Sequence, residues 1–250
     1  MKNLLFLLLL TFFISCSNEE YDIYSQPVWS PTENGYKLVW EDNFDGVDID
    51  MTKWAYRAVG KRRHNAIVDP STIYQEGGHL VIELREKNGE FYVGQLTTQN
   101  KHLFKYGYFE CNVLLNQKAG MHSAFWLQSD GVVVGGDTSL HGAEIDIFEY
   151  MANQPGMVYS TIFWDYKDLK SVQKVTIVPQ VSTGFHTFGV EWTPEEYIFY
   201  IDNRQVWRTS SAVSHIEEYI VLSTEYNGWG GEANPRELPD RVVFFFVKFL

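Results

Sequence analysis

The 250-residue chain has only two cysteines, Cys16 and Cys111. That excludes the disulfide framework that staples small secreted domains. Cys111 falls in an alternating strand pattern and is expected as a buried free thiol. Basic residues are also scarce: 20 Lys and Arg stand against 32 Asp and Glu, a net charge of −12. This argues against nucleic acid as a partner, since phosphates are held by Lys and Arg. An uncharged polymer is compatible with it. The His residues lack metal-ligand spacing, and no metal or cofactor is expected. The N-terminal apolar run, residues 4–14, has eleven residues, short of the roughly 20 needed to cross a bilayer. Internal repeats and coiled-coil heptads are absent, and long helical patterns are few.

What the chain does have is aromatic residues, 16%, and turn punctuation between short apolar alternations. Strands are expected at 38–40, 79–84, 91–96, 106–115, 123–128, 158–164, 172–178, 189–192, 197–201, 205–208, 220–224 and 242–249. Asp202-Asn203 is the turn of a hairpin. Many short strands over this length predict one large all-β domain, a β-sandwich. At the N-terminus, Lys2 precedes the apolar run, and Phe13-Ile14-Ser15-Cys16 resembles a bacterial lipobox. Residues 1–15 are therefore expected as a lipoprotein signal peptide, Cys16 as the lipidated residue, 16–27 as a tether and 28–250 as the folded domain. Ser17-Asn18-Glu19-Glu20 resembles an acidic surface-export tag of certain Gram-negative bacteria. The expected location is the outer membrane, exposed at the cell surface.

One run organises the rest: Gly142-Ala143-Glu144-Ile145-Asp146-Ile147-Phe148-Glu149-Tyr150. Its Ile, Phe and Tyr residues favour a strand. Glu144 and Asp146, two apart, share a face. Strict alternation sends Glu149 to the other face, and one extra residue at Ile147–Phe148, a β-bulge, would bring it back. Bulges are enriched beside active sites. Two carboxyls about 5–5.5 Å apart suit a retaining glycosidase, one as nucleophile and one as acid/base. Asp146 between them would hydrogen-bond the nucleophile and split the pKa values.

The run also resembles the bulged catalytic signature of glycoside hydrolase family 16. Lys105-Tyr106-Gly107-Tyr108-Phe109-Glu110, Ser123-Ala124-Phe125-Trp126-Leu127, and the stretch from Gly184-Phe185-His186 to Trp192-Thr193-Pro194 extend the resemblance over nearly the whole domain. It implies a jelly roll of two curved antiparallel sheets with an open concave cleft. By position, Glu144 is the implied nucleophile, Asp146 its partner and Glu149 the acid/base. Two positions depart from many relatives: His122 stands in place of Trp, and Phe163 in place of His. The last strand has only Phe where some relatives carry a calcium-binding Asp.

Trp126, Trp164 and Trp229 are candidate sugar platforms, with core packing as the alternative. Arg57 and Asn65 flank a stretch that forms cleft loops in relatives. His122 stands where relatives touch sugar, and Glu225 contacts a sugar hydroxyl or caps its loop. His141 is expected to order a turn and His186 to be structural. The implied activity is endo-acting and retaining, on internal β-1,4-galactosyl bonds of N-acetyllactosamine-type glycans such as mucin O-glycans and keratan. An endo-β-1,3- or β-1,3/1,4-glucanase is the alternative. A non-catalytic surface glycan-binding lipoprotein is the alternative of another class, disfavoured by the three retained carboxylates. A monomer is expected.

Overall fold

In the computed structural model, alternation along the strands sorts side chains between two stacked sheets. Residues 22–250 are described; the signal segment, Cys16 and the acidic stretch after it lie outside them. The larger sheet runs, in spatial order, Arg204–Thr209, Tyr197–Ile201, Phe185–Trp192, Gly107–Leu114, Asp240–Phe249, His79–Lys87, Glu90–Val93, Ala66–Val68 and Arg62–Arg63. Trp40–Asp42 and Ile73–Glu76 attach at its middle. The second sheet runs Lys170–Ile177, Met157–Trp164, Glu144–Met151, His122–Gln128, Tyr219–Glu225, Gln95–Thr97 and Ala55–Tyr56. Pairing is antiparallel except where Ala66–Val68 runs parallel to Glu90–Val93. This is the expected jelly-roll sandwich, with one parallel pair at an edge.

The core lies between the sheets, where residues such as Phe109, Val113, Phe188, Val190 and Phe244 meet Phe125, Leu127, Ile145, Phe148 and Leu222. Each contributes about 1.5–3 kcal/mol by leaving water. Cys111 is buried and free, and burial pushes its thiol well above the usual range. His186 Nδ1 lies 2.7 Å from Asp202 Oδ2, a structural role. Asp202 and Asn203 both have positive φ, 49° and 60°, as a tight hairpin turn requires.

Two expectations need correction. The single strand at 91–96 is two strands in different sheets, Glu90–Val93 and Gln95–Thr97, with Gly94 as the crossing point. A Cβ on Gly94 would lie 2.5 Å from Ile73 Cγ1 and 2.7 Å from Thr72 Oγ1, so only glycine lets the chain change sheets there. The tether expected to reach residue 27 is mostly exposed over 22–27 but is anchored to the domain at Ile23. Asp22 caps a short 3₁₀ turn by accepting from Tyr24 N, and Ile23 is buried in the main core. Trp29 then stacks on Tyr200 at 4.4 Å, on the outer face of the larger sheet.

Candidate active site

The outward face of the second sheet forms a cleft of about 510 Å³. Its floor depends on an irregularity in Glu144–Met151. Glu144, Ile145 and Asp146 pair with Gln128, Leu127 and Trp126, and Phe148 and Glu149 resume with Phe125 and Ala124, so Ile147 is passed over. On the other side the register slips between Asp146–Thr161 and Glu149–Tyr159. Ser160 Oγ donates to the Ile147 carbonyl at 3.0 Å, which ties down the extra residue. Ile147 and Phe148 both enter the core, while Glu144, Asp146 and Glu149 all line the cleft.

The Glu144 end is closely bonded. Gln128 Nε2 donates to Glu144 Oε2 at 2.7 Å, and the Tyr166 hydroxyl makes a short hydrogen bond to the same oxygen. Gln128 Oε1 accepts from Arg57 Nη2 at 2.9 Å and from the Tyr219 hydroxyl at 2.8 Å. Arg57 also donates to Gln95 Oε1 at 3.0 Å, and its guanidinium lies 5.0 Å from the centre of the Trp126 ring. Burial pushes Glu144 up to about 6; the Tyr166 hydrogen bond opposes the shift and the charge of Glu149 adds to it. Burial, then the charges of Glu149 and Glu144, push Asp146 well above the usual carboxylate range. Its Oδ2 is buried without a partner.

The Glu149 end is looser. Thr161 Oγ1 donates to Glu149 Oε2 at 2.8 Å and is itself held by Gln173 Nε2 at 3.0 Å. His122 Nε2 lies 3.2 Å from Glu149 Oε1, off the line of a hydrogen bond, and has no partner. Asn227 Nδ2 lies 2.9 Å from His122 Nδ1. Glu225 Oε1 accepts from Arg63 Nε at 2.7 Å and makes a short hydrogen bond with Gln95 Nε2, while its Oε2 has no partner.

Of the residues expected to touch sugar, Trp126, Trp229, His122, Arg57 and Glu225 line the cleft. Trp126 is fixed by donating Nε1–H to Ser223 Oγ at 3.0 Å. Trp229 is 56% exposed, with its ring 5.7 Å from that of His122. Trp164 and Asn65 do not line it. Phe163, opposite Glu144, takes the cleft face, so alternation turns Trp164 back against the core. Asn65 is exposed and donates its backbone N–H to Tyr226 O; its neighbours Arg63 and His64 reach the cleft instead. Gln128, Tyr166, Arg63 and Asn227 were not anticipated. Gln128 was detectable, two residues beyond Trp126 on the same strand face.

A family model for glycosyl hydrolases family 16 matches residues 60–235. The chain belongs to this family. It is a glycoside hydrolase, and a polysaccharide substrate is consistent with that membership. A β-glucanase of Rhodothermus marinus is 28% identical over 241 residues, covering 85% of this chain and 84% of that one. A glucan endo-1,3-β-glucosidase of Cryptopygus antarcticus is 27% identical over 228 residues, covering 84% and 78%. Among solved structures, the laminarinase from Flavobacterium sp. UMI-01 superposes with a TM-score of 0.76 at 24% identity, covering 85% of this chain and 99% of that one. A structure from work on endo-acting O-glycanases, expressed by members of the human gut microbiota to initiate mucin breakdown, superposes with a TM-score of 0.74 at 23% identity, covering 89% and 92%. These two superpositions show the family 16 fold.

Proposed function

We propose that this family 16 chain is an endo-acting, retaining β-glucanase that cuts internal β-1,3 or mixed β-1,3/1,4 bonds. The observation that carries the hydrolase mechanism is the bulge, which puts Glu144 and Glu149 on one cleft face. The glucan class is supported by the β-glucanase relative, of which 84% is covered. In this mechanism Glu144 attacks the anomeric carbon while Glu149 protonates the departing glycosidic oxygen. Glu149 then deprotonates the water that opens the Glu144 ester. Gln128 and Tyr166 both bond Oε2, which leaves Oε1 as the attacking oxygen. Burial and the charges of its two neighbours push Asp146 well above the usual carboxylate range, which opposes a third negative charge in the cleft.

A second substrate reading, internal β-1,4-galactosyl bonds of N-acetyllactosamine-type chains, is favoured by one observation. His122 and Phe163, the two departures from glucan-cleaving relatives, both line the cleft. The test is to incubate the full chain with laminarin, barley β-glucan, keratan and mucin O-glycans, and to follow products by chromatography. Oligosaccharides from the glucans support the first reading; release from keratan or mucin alone replaces it with the second. Binding without release from any of them would make the chain a glycan binder. Proton NMR of the first product should show retained β configuration, and an α product would overturn the nucleophile assignment.

The proposed setting is an outer-membrane lipoprotein at the cell surface, acylated on Cys16, with a monomeric domain. It is motivated by Ser15-Cys16 closing the short apolar run. Cys16→Ala should move the protein from the membrane fraction to the soluble one.

A further inference from the structure

The cleft holds an unused donor beside an unused acceptor. His122 and Glu225 are each 7% exposed, and they are directly paired across neighbouring strands. Opposed residues of an antiparallel pair have Cβ atoms about 4.5–5.5 Å apart on one face. With the Asn227 amide donating to Nδ1, the second nitrogen of His122 carries the proton, and this buried N–H makes no hydrogen bond, although Glu149 Oε1 lies 3.2 Å away off its line. Glu225 is anchored through Oε1 alone, by Arg63 and Gln95, and its buried Oε2 has no partner. Buried polar groups left unpaired are uncommon in folded proteins, and those facing a binding cleft point to a ligand. Gln128 and Arg57, by contrast, are tied to other groups of the cleft, and the further unpaired atom there, Asp146 Oδ2, lies between the two glutamates.

We propose that His122 and Glu225 act as one clamp on a single sugar hydroxyl, at the sugar next to the acid/base Glu149. The hydroxyl oxygen accepts from His122 Nε2–H while its own proton is donated to Glu225 Oε2. One hydroxyl satisfies both groups because it is donor and acceptor at once. The exposed Trp229 ring, beside His122, provides a flat wall for the same sugar. A sugar that lacks this hydroxyl, or carries it in the other configuration, leaves both groups unpaired, so the clamp reads stereochemistry. The inference rests on the glycan-hydrolase reading and names the groups that select the substrate within it.

The test is a double-mutant cycle in the full chain with His122→Phe, Glu225→Gln and both together. Phe keeps the ring contact with Trp229; Gln keeps the oxygen that faces Arg63 and Gln95. The readout is kcat/KM on laminarihexaose and on a poly-N-acetyllactosamine hexasaccharide. Each single variant should lose roughly 30-fold, and the double variant no more than about threefold beyond the worse single, because both act on one hydroxyl. Multiplying losses would overturn the clamp. So would a shift of the basic limb of the pH profile in His122→Phe, which would mean that His122 acts on Glu149 instead of on sugar. If His122→Phe does not fold, His122→Leu takes its place in the cycle. If the wild type cleaves neither hexasaccharide, the same cycle is read by calorimetric affinity for them, while the hydrolase reading is decided by the polysaccharide panel above. Coupling there keeps the clamp; additivity or no binding overturns it.

Discussion

The two ends of the cleft are built differently, although one strand supplies both. At the Glu144 end, Gln128, Tyr166, Arg57 and Tyr219 form a connected network with its hydrogen bonds made within the protein. At the Glu149 end, His122 and Glu225 each keep a buried polar atom without a partner. A nucleophile must be aimed before substrate arrives, so a network preorganised by the protein suits the role proposed for Glu144. Groups that recognise sugar gain most when their partners come with the substrate, so unpaired atoms suit the other end.

The contrast is broken most severely by removing either carboxylate. Glu144→Gln and Glu149→Gln should each lower kcat by at least roughly 1,000-fold with far-UV circular dichroism unchanged, and Asp146→Asn should cost less. Residual activity above a tenth of wild type would overturn the assignment. Next in size is Tyr166→Phe, which removes one of the two donors on Glu144. It should lower kcat by about 10- to 100-fold. Wild-type activity should fall as pH drops below about 6, where Glu144 becomes protonated. Since the Tyr166 hydrogen bond lowers that value, Tyr166→Phe should move the acid limb of the pH profile upward. A downward move would contradict the network.

The smallest expected effect touches the frame behind Glu144. Glu218 is fully buried, accepts from Ala143 N at 3.0 Å, and is pushed by burial from 4.5 up to about 8. The unfolded chain releases this proton near pH 4.5, while the folded protein holds it up to about 8. Stability therefore falls as pH rises between those values. Glu218→Gln keeps the acceptor and removes the titration. Its thermal stability should exceed wild type by a margin that grows from pH 5 to pH 8, on the order of 3 kcal/mol. Activity per folded molecule should change little. A margin independent of pH would show that Glu218 is not protonated in the folded protein.

Much of this was legible in the sequence because it follows local period. Alternation identifies the strands, the positive-φ turn at Asp202-Asn203 and the shared face of Glu144 and Asp146. The chemistry expected of Glu149 required a bulge, and register pairs on both sides locate it at Ile147. What escaped has tertiary causes. Gly94 looks like an interior strand residue until Ile73 and Thr72 occupy the space that a Cβ would take. Trp164 is a large aromatic next to the cleft, but Phe163 holds the outward phase. Tyr166 lies past the strand end, on a loop without periodicity, and only folding brings its hydroxyl to Glu144. Ile23 sits in a polar stretch and is buried by a sheet that forms far along the chain.

The extra residue at Ile147 also makes the arithmetic of insertion and deletion along this strand one of parity. Removing Ile147 would leave Phe148 and Glu149 opposite Phe125 and Ala124 in unbroken alternation, with Glu149 still on the cleft face and the kink of the bulge lost. Removing two residues there would turn Glu149 to the core face, where a carboxyl would meet Phe188 and Phe244, the neighbours of Phe148. Length variation in this chain is thus far easier to accommodate in the loops around the cleft than in the three residues that separate Glu144 from the far side of the bulge.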